Sequence, residues 1–288
     1  MKLSNSIITI EVAEHGAELV SLKKDGREYL WSGDPAYWNR HAPILFPAVG
    51  KPYNNELHAD GKVYPMKQHG FARDSEFEVV GDGRLRLIPG PLGESYPYRL
   101  GLEVCYRLQD SAVEVMWTVE NLDCRDAWFQ IGAHPGFMLP DYKAEDALHG
   151  YIHYFDREGR PVNPVVVCGL DDGSRIPLAH GEVRVPNRMP LKADTFAHDA
   201  LMFEDGQVTK AVLCDRDGNA VLGVGCPQAE AYGIWAPHKE GCPFVCLEPW
   251  CGICDRKGFA GDISTRQYIH RLSPKEKYTF TYTIEVYR

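Results

Sequence analysis

The 288-residue sequence predicts an all-β sandwich, and three observations carry that expectation. Apolar residues recur with a period of two over long stretches, turn residues punctuate those stretches, and the one segment with helical start signals is short. That segment is "DPAYWNR", where Asp34 can cap and Pro35 can take the first helical position; a helix there is too short to cover a sheet. Further on, "GDGR" marks a turn. In "YRLGLEVCYRL" the side chains of Leu100, Leu102, Val104, Tyr106 and Leu108 share one side. After "QDS" the run "AVEVMWTVEN" repeats the alternation with Val113, Val115, Trp117 and Val119, which makes a hairpin of two half-buried strands. In "WFQIGAHPGF", Trp128, Gln130, Gly132 and His134 face one way and Phe129 and Ile131 the other, with Pro135 and Gly136 ending the strand. "DRDGNA" is another turn. As a strand, "PFVCLEPW" sends Phe244, Cys246 and Glu248 to one side and Val245 and Leu247 to the other. The closing "YTFTYTIEVY" sets Tyr278, Phe280, Tyr282, Ile284 and Val286 against threonines and Glu285, as suits an antiparallel strand with one covered face. No repeat, low-complexity tract or linker divides the chain, so residues 1–288 read as one domain, a large antiparallel β-sandwich.

Composition removes several classes of function. A net charge of -9 and a pI near 5.7 argue against nucleic-acid or anionic-membrane partners, because phosphate attraction needs a net basic face. Glu11 and Glu14 interrupt the short apolar stretch at the N-terminus, and no apolar run approaches the length of a membrane span. A cytoplasmic location is the expectation. Nine scattered cysteines, an odd number, are unlike a secreted disulfide framework, so reduced thiols are expected.

Four of those cysteines surround Glu248. Cys242, Cys246, Cys251 and Cys254 read C-x3-C-x4-C-x2-C, whereas structural zinc wants two tight pairs on a longer loop. Packing and turn thiols are the expectation, with no metal. His134 falls at the end of a strand, and His69, in "KQHGFARD", falls in a turn between Lys67 and Arg73. Taken singly, each histidine reads as a satisfied structural or surface residue more readily than as a functional one.

The order of "WNRHAPILFPAVG", "QHGFAR", "IGAHPGF" and "VCLEPWCG" along an all-β chain resembles the aldose 1-epimerase (galactose mutarotase) family, in particular its shorter bacterial branch. The resemblance runs over nearly the whole chain. It implies the family's large β-sandwich and the interconversion of α and β anomers of free aldoses without a cofactor. On matching positions it makes Glu248 the general base, His134 the general acid, His69 a sugar ligand near the ring oxygen, and Asp199 in "AHDALMF" a sugar-binding carboxylate. Mutarotation removes the proton of the anomeric hydroxyl and donates one to the ring oxygen, so a base and an acid are required; the expectation places them on opposite sides of the sugar ring. Each contributes about 10^2 to 10^4 in rate.

One departure bears on the substrate. Longer members carry a sugar-gripping arginine in a loop that corresponds here to "GKPYNNELHADGK", which has none. Arg40 and Arg73 are two other cations near the site, and related hexose-6-phosphate 1-epimerases hold phosphate with arginines near such segments. The substrate is therefore a hexose or a hexose phosphate. Alternatively, Arg40 and Arg73 form surface ion pairs with Asp34, Asp74 or Glu76. Trp235 in "YGIWAPH" is a candidate for packing on a sugar's C–H face. A non-catalytic sugar-binding module stays open, and a glycosidase is disfavoured for want of a second carboxylate opposite Glu248. A monomer or homodimer is expected.

Overall fold

In the computed structural model, which describes residues 1–87 and 96–288, 47% of the chain is strand and 3% helix, so backbone hydrogen bonding runs mostly between strands. One sheet has nine strands, in the order Arg188–Pro190, Tyr151–Phe155, Lys210–Cys214, Ala220–Gly225, Lys277–Val286, Ala112–Asn121, Leu100–Gln109, Arg84–Leu87 and Glu78–Gly81. At its centre the expected hairpin pairs Leu100 with Asn121 and Gln109 with Ala112, and Trp117 faces Phe280 on the C-terminal strand. Val113, Val115, Trp117 and Val119 are buried as their alternation requires. Tyr278 departs from that pattern. It lies near the start of its strand, 41% exposed, where the covering layer has run out.

The second sheet runs Leu201–Phe203, Ala231–Trp235, Phe244–Cys251, Ile131–Ala133 and Ile44–Leu45, with Gly136–Met138 also paired to Phe244–Cys251. Ile131, Tyr232, Ile234, Val245 and Leu247 on its inner face join Val115, Trp117, Phe280 and Ile284 of the larger sheet in one apolar core. Burying each large side chain of this kind is worth about 1.5–3 kcal/mol. All eight residues of Phe244–Cys251 are buried. Alternate residues still part to different neighbours: Val245 and Leu247 enter the main core, while Phe244 and Cys246 pack with Trp31, Trp38 and Trp235 on the opposite face. A four-stranded sheet, Lys2–Ser4 to Arg27–Glu28, completes the N-terminal part.

Two local expectations are corrected. "DPAYWNR" makes a single turn, with the Asp34 carboxylate accepting from the Ala36 amide (2.8 Å) and its carbonyl accepting from Tyr37 (3.0 Å) and Trp38 (2.9 Å). The His41 and Ala42 amides, which a further helical turn would bond to Tyr37 and Trp38, donate instead to the Glu18 carboxylate at 2.6 and 2.9 Å. "WFQIGAHPGF" is not one strand. Ala127–Phe129 pairs with His270–Leu272, and the chain breaks at Gln130 before Ile131–Ala133 enters the smaller sheet. Gln130 is held by its amide to Pro47 (2.9 Å) and by its side chain to Val49 (3.2 Å) and Gln267 (2.8 Å), so Trp128 is separated from the face that carries His134. Among the described residues no helix is long and apolar enough to cross a membrane.

Candidate active site

Glu248 and Trp250 sit on the outer face of the Phe244–Cys251 strand because the flanking strands carry glycine beside them. Gly233 pairs with Glu248 and Gly132 with Trp250. A Cβ at Gly132 would meet the Trp250 ring at 2.7 Å, and one at Gly233 would meet it at 2.6 Å. The indole therefore lies across the floor, beside a carboxylate that is 1% exposed. Glu248 Oε2 stands 3.1 Å from His134 Nε2, off the line of a hydrogen bond, and neither it nor His134 Nδ1 has a hydrogen-bond partner among the described residues. Burial, reinforced by the charge of Asp199 and opposed by Trp250, pushes Glu248 well above the ordinary carboxylate range. Burial likewise lowers His134 to about 3, with a backbone hydrogen bond opposing and Arg73 and Arg40 assisting. Both shifts favour the uncharged forms.

His134 follows directly on Ile131–Ala133, its ring stacked on Trp38 at 4.9 Å and edge-on to Trp235 at 5.6 Å. His69 meets it edge-to-face at 5.5 Å. The backbone at His69 is left-handed, φ 66°, which turns the side chain inward, and its Nδ1 accepts from the Gly50 amide at 3.1 Å. That bond assigns the ring proton to Nε2, a donor. Burial first, then His134, Arg73 and Arg40, keep His69 neutral well below its usual pKa.

These groups line one cavity of about 380 Å3, a volume that suits a small ligand. Arg73, Asp199 and Trp235 line it with Glu248, His134 and His69, so six of the seven residues singled out from the sequence converge. Arg40 does not. Its guanidinium pairs with Asp74 at 2.7 Å, the ion pair that the sequence left open. Arg73 donates to the Gln68 carbonyl at 2.8 Å and keeps a buried Nε without a partner among the described residues. Asp199 sits at the exposed rim in a left-handed conformation, φ 73°, just before Leu201–Phe203. Glu248 and His134, the residues expected as base and acid, lie in contact with each other at one place on the cavity wall.

Sequence reasoning missed Trp38 and Met202, both in the lining. Trp38 is hidden in the turn read as a helix. A hairpin, Cys168–Asp171 with Ser174–Pro177, forms one wall through Leu170 and Gly173. Lys51, in the segment that lacks the arginine, holds that hairpin by pairing with Asp172 at 2.6 Å. At its base, Arg175 is buried against Glu204 at 2.7 Å. The four cysteines near Glu248 go to three places: Cys251 enters the main core, Cys254 packs with Val49 and Trp250, and Cys246 packs with Phe244, the half-buried Cys242 lying against the same cluster. All nine cysteines are free thiols. A groove of about 400 Å3 crosses the nine-stranded sheet elsewhere, but Lys210 and Glu285 in it pair with each other at 3.0 Å.

Two packed antiparallel sheets of this size, with a polar cleft on the smaller one, define a protein of the galactose mutarotase-like fold. The chain belongs to the aldose 1-epimerase family, whose profile matches residues 1–285. It is 27% identical over 305 residues to the chromosomal LacX protein of Lactococcus lactis subsp. lactis, covering 99% of each. Two solved structures are similar throughout. A galactose mutarotase related enzyme from Lactobacillus acidophilus is 29% identical with a TM-score of 0.87, covering 100% of this chain and 97% of that one. A galactose mutarotase-like protein from Lactobacillus casei ATCC 334 is 29% identical with a TM-score of 0.88, covering 100% and 99%.

Proposed function

We propose that the protein is an aldose 1-epimerase acting on a free hexose, with Glu248 and His134 as its catalytic pair. The observation that carries this reading is the buried contact of Glu248 Oε2 with His134 Nε2 at 3.1 Å on the floor of the cleft. Beyond the one N–H of a neutral imidazole, the pair holds a single proton. With that proton on His134, Glu248 takes the proton of the anomeric hydroxyl while the imidazolium N–H protonates the ring oxygen. The bond from C1 to the ring oxygen breaks, C1 becomes an aldehyde carbon, and the pair is left as carboxylic acid and neutral imidazole. Rotation about the C1 to C2 bond and the reverse transfers close the ring as the other anomer. Both sugar oxygens are bonded to C1, so an acid and a base in contact reach them from one edge. Ring opening thereby discharges a buried ion pair, in the direction that burial favours.

The other residues bind. His69 Nε2–H donates to a sugar oxygen, Asp199 accepts from a hydroxyl at the rim, and Trp38 and Trp235 offer apolar surface to the C–H face. Arg73 contributes its unpartnered Nε. A hexose 6-phosphate is the second reading and rests on Arg73 alone, since Asp74 occupies Arg40.

The test is NMR exchange between anomers over a panel of free and phosphorylated hexoses, in buffer without catalytic phosphate or imidazole. Glu248→Gln keeps size and hydrogen bonding but removes the basic lone pair, so sugar binding should persist while exchange falls by at least ~10^2. His134→Asn should behave alike. Wild-type turnover in the Gln variant removes Glu248 as the base, and sugar binding without exchange in the wild type identifies a binding module.

A further inference from the structure

Cys246 lies two residues before Glu248 on the same face of the strand and pairs across the sheet with both Gly136 and Trp235, which brings its thiol beside His134. One ligand atom from each of His134, Cys246 and Glu248 lies within 4.8 Å of the other two, and among the described residues this is the one cluster of three such side chains. All three are more than nine-tenths buried, at 8%, 0% and 1% exposed. Glu248 Oε2 and His134 Nδ1 are without hydrogen-bond partners among the described residues.

We propose that His134, Cys246 and Glu248 form a site for a thiophilic divalent cation of the zinc class, whose binding takes the acid–base pair away from the sugar. The inhibitory half rests on the proposed function; the binding half stands on the geometry. Thiolate, carboxylate and imidazole are the donors zinc prefers, and three protein ligands leave a fourth position that a water from the cleft can fill. A hard cation such as magnesium prefers oxygen ligands and keeps several of its waters, so a buried thiolate does not suit it. Charge balances as well. A 2+ ion with one thiolate, one carboxylate and a neutral imidazole leaves the buried site with no net charge, which removes the cost of burying Glu248 ionised and alone. Binding releases the Cys246 proton, and that of Glu248 when it is protonated, to solvent. Neither the C-x3-C-x4-C-x2-C spacing nor the other cysteines take part; the sequence hides the site because His134 is more than a hundred positions away.

The experiment titrates metal-free, reduced protein with Co2+, reading the thiolate-to-cobalt charge-transfer band, and then displaces the Co2+ with Zn2+ while anomer exchange is followed in parallel. The expected result is one equivalent bound with a thiolate band, no band with Mg2+, and exchange abolished by Zn2+ and restored by a chelator. Cys246→Ala should lose the band, keep its exchange activity, and require at least ~10^2-fold more Zn2+ for inhibition, since loss of even an outer-shell partner typically costs 10–100-fold in affinity. Cys246→Ser serves the same purpose should the alanine variant misfold. Cys124→Ala, at an exposed thiol, should keep the band. A wild type without a thiolate band, or a band that survives in both Cys246 variants, overturns the site. A band without inhibition overturns the switch. The cobalt signal is readable even if no sugar is turned over, so failure of the site and failure of the proposed function are distinguishable.

Discussion

Burial raises Glu248 and lowers His134 to about 3, and the two shifts act on one shared proton. In the proposed mechanism the pair is competent while it holds that proton, and it loses it as the pH rises through the elevated pKa of Glu248; a titration reports the pair as a unit. Asp199 contributes to that elevation, so Asp199→Asn removes a negative charge and should move the alkaline limb of the kcat/KM profile to lower pH. The limb is read from its position, whatever the substitution does to KM, in metal-free buffer. A limb that stays in place, or moves up, contradicts the assignment. At this scale the sequence was informative where a residue sits inside a short motif: Glu248, His134 and His69 were each found that way. For Arg40 the sequence left a phosphate contact and an ion pair with Asp34, Asp74 or Glu76 equally open, because the choice is made by a fold contact that spans 34 positions.

The strands beside Phe244–Cys251 matter for what they omit. Gly132 and Gly233 leave the space that the Trp250 ring fills next to Glu248. Gly233→Ala places a Cβ 2.6 Å from a rigid indole in a packed floor, so it should cost about 1–3 kcal/mol and lower anomer exchange by displacing the ring. Gly225→Ala, where the nearest atom is 3.5 Å from the new Cβ and belongs to the flexible Lys210 side chain, is the control and should be mild in both. Urea unfolding midpoints and kcat measured on the same preparations check both substitutions. Long strands were legible because alternation survives when one face is covered, and Phe244–Cys251 kept its two-sided reading although both sides are buried. The break at Gln130 was not, since its bonds run to residues 47, 49, 253 and 267, and no local pattern records them. For the same reason the "DPAYWNR" turn looked helical: the amides that would continue it are taken by Glu18, more than twenty positions away.

Across the whole molecule, the cleft is drawn from Trp38, His69, His134, Asp199, Trp235 and Glu248, far apart in the chain. The fold class could be read from strand periodicity alone, whereas the joining of these segments depends on the order of strands in the smaller sheet. That order places Ile131–Ala133 between Ile44–Leu45 and Phe244–Cys251, both distant in sequence, while the hairpins Leu100–Gln109 with Ala112–Asn121 and Ala231–Trp235 with Phe244–Cys251 close over short loops. Short loops close first, and pairing across long loops is slow. Anomer exchange after dilution from denaturant should therefore recover more slowly than the far-ultraviolet strand signal; simultaneous recovery would mean that the smaller sheet assembles with the hairpins. Until Ile131–Ala133 docks, the strand that bears Glu248 offers an open edge beside the apolar face of Val245 and Leu247, the kind of surface on which partly folded chains aggregate. The burial that tunes the carboxylate thus makes refolding yield depend on protein concentration, with losses concentrated in the interval before the cleft closes.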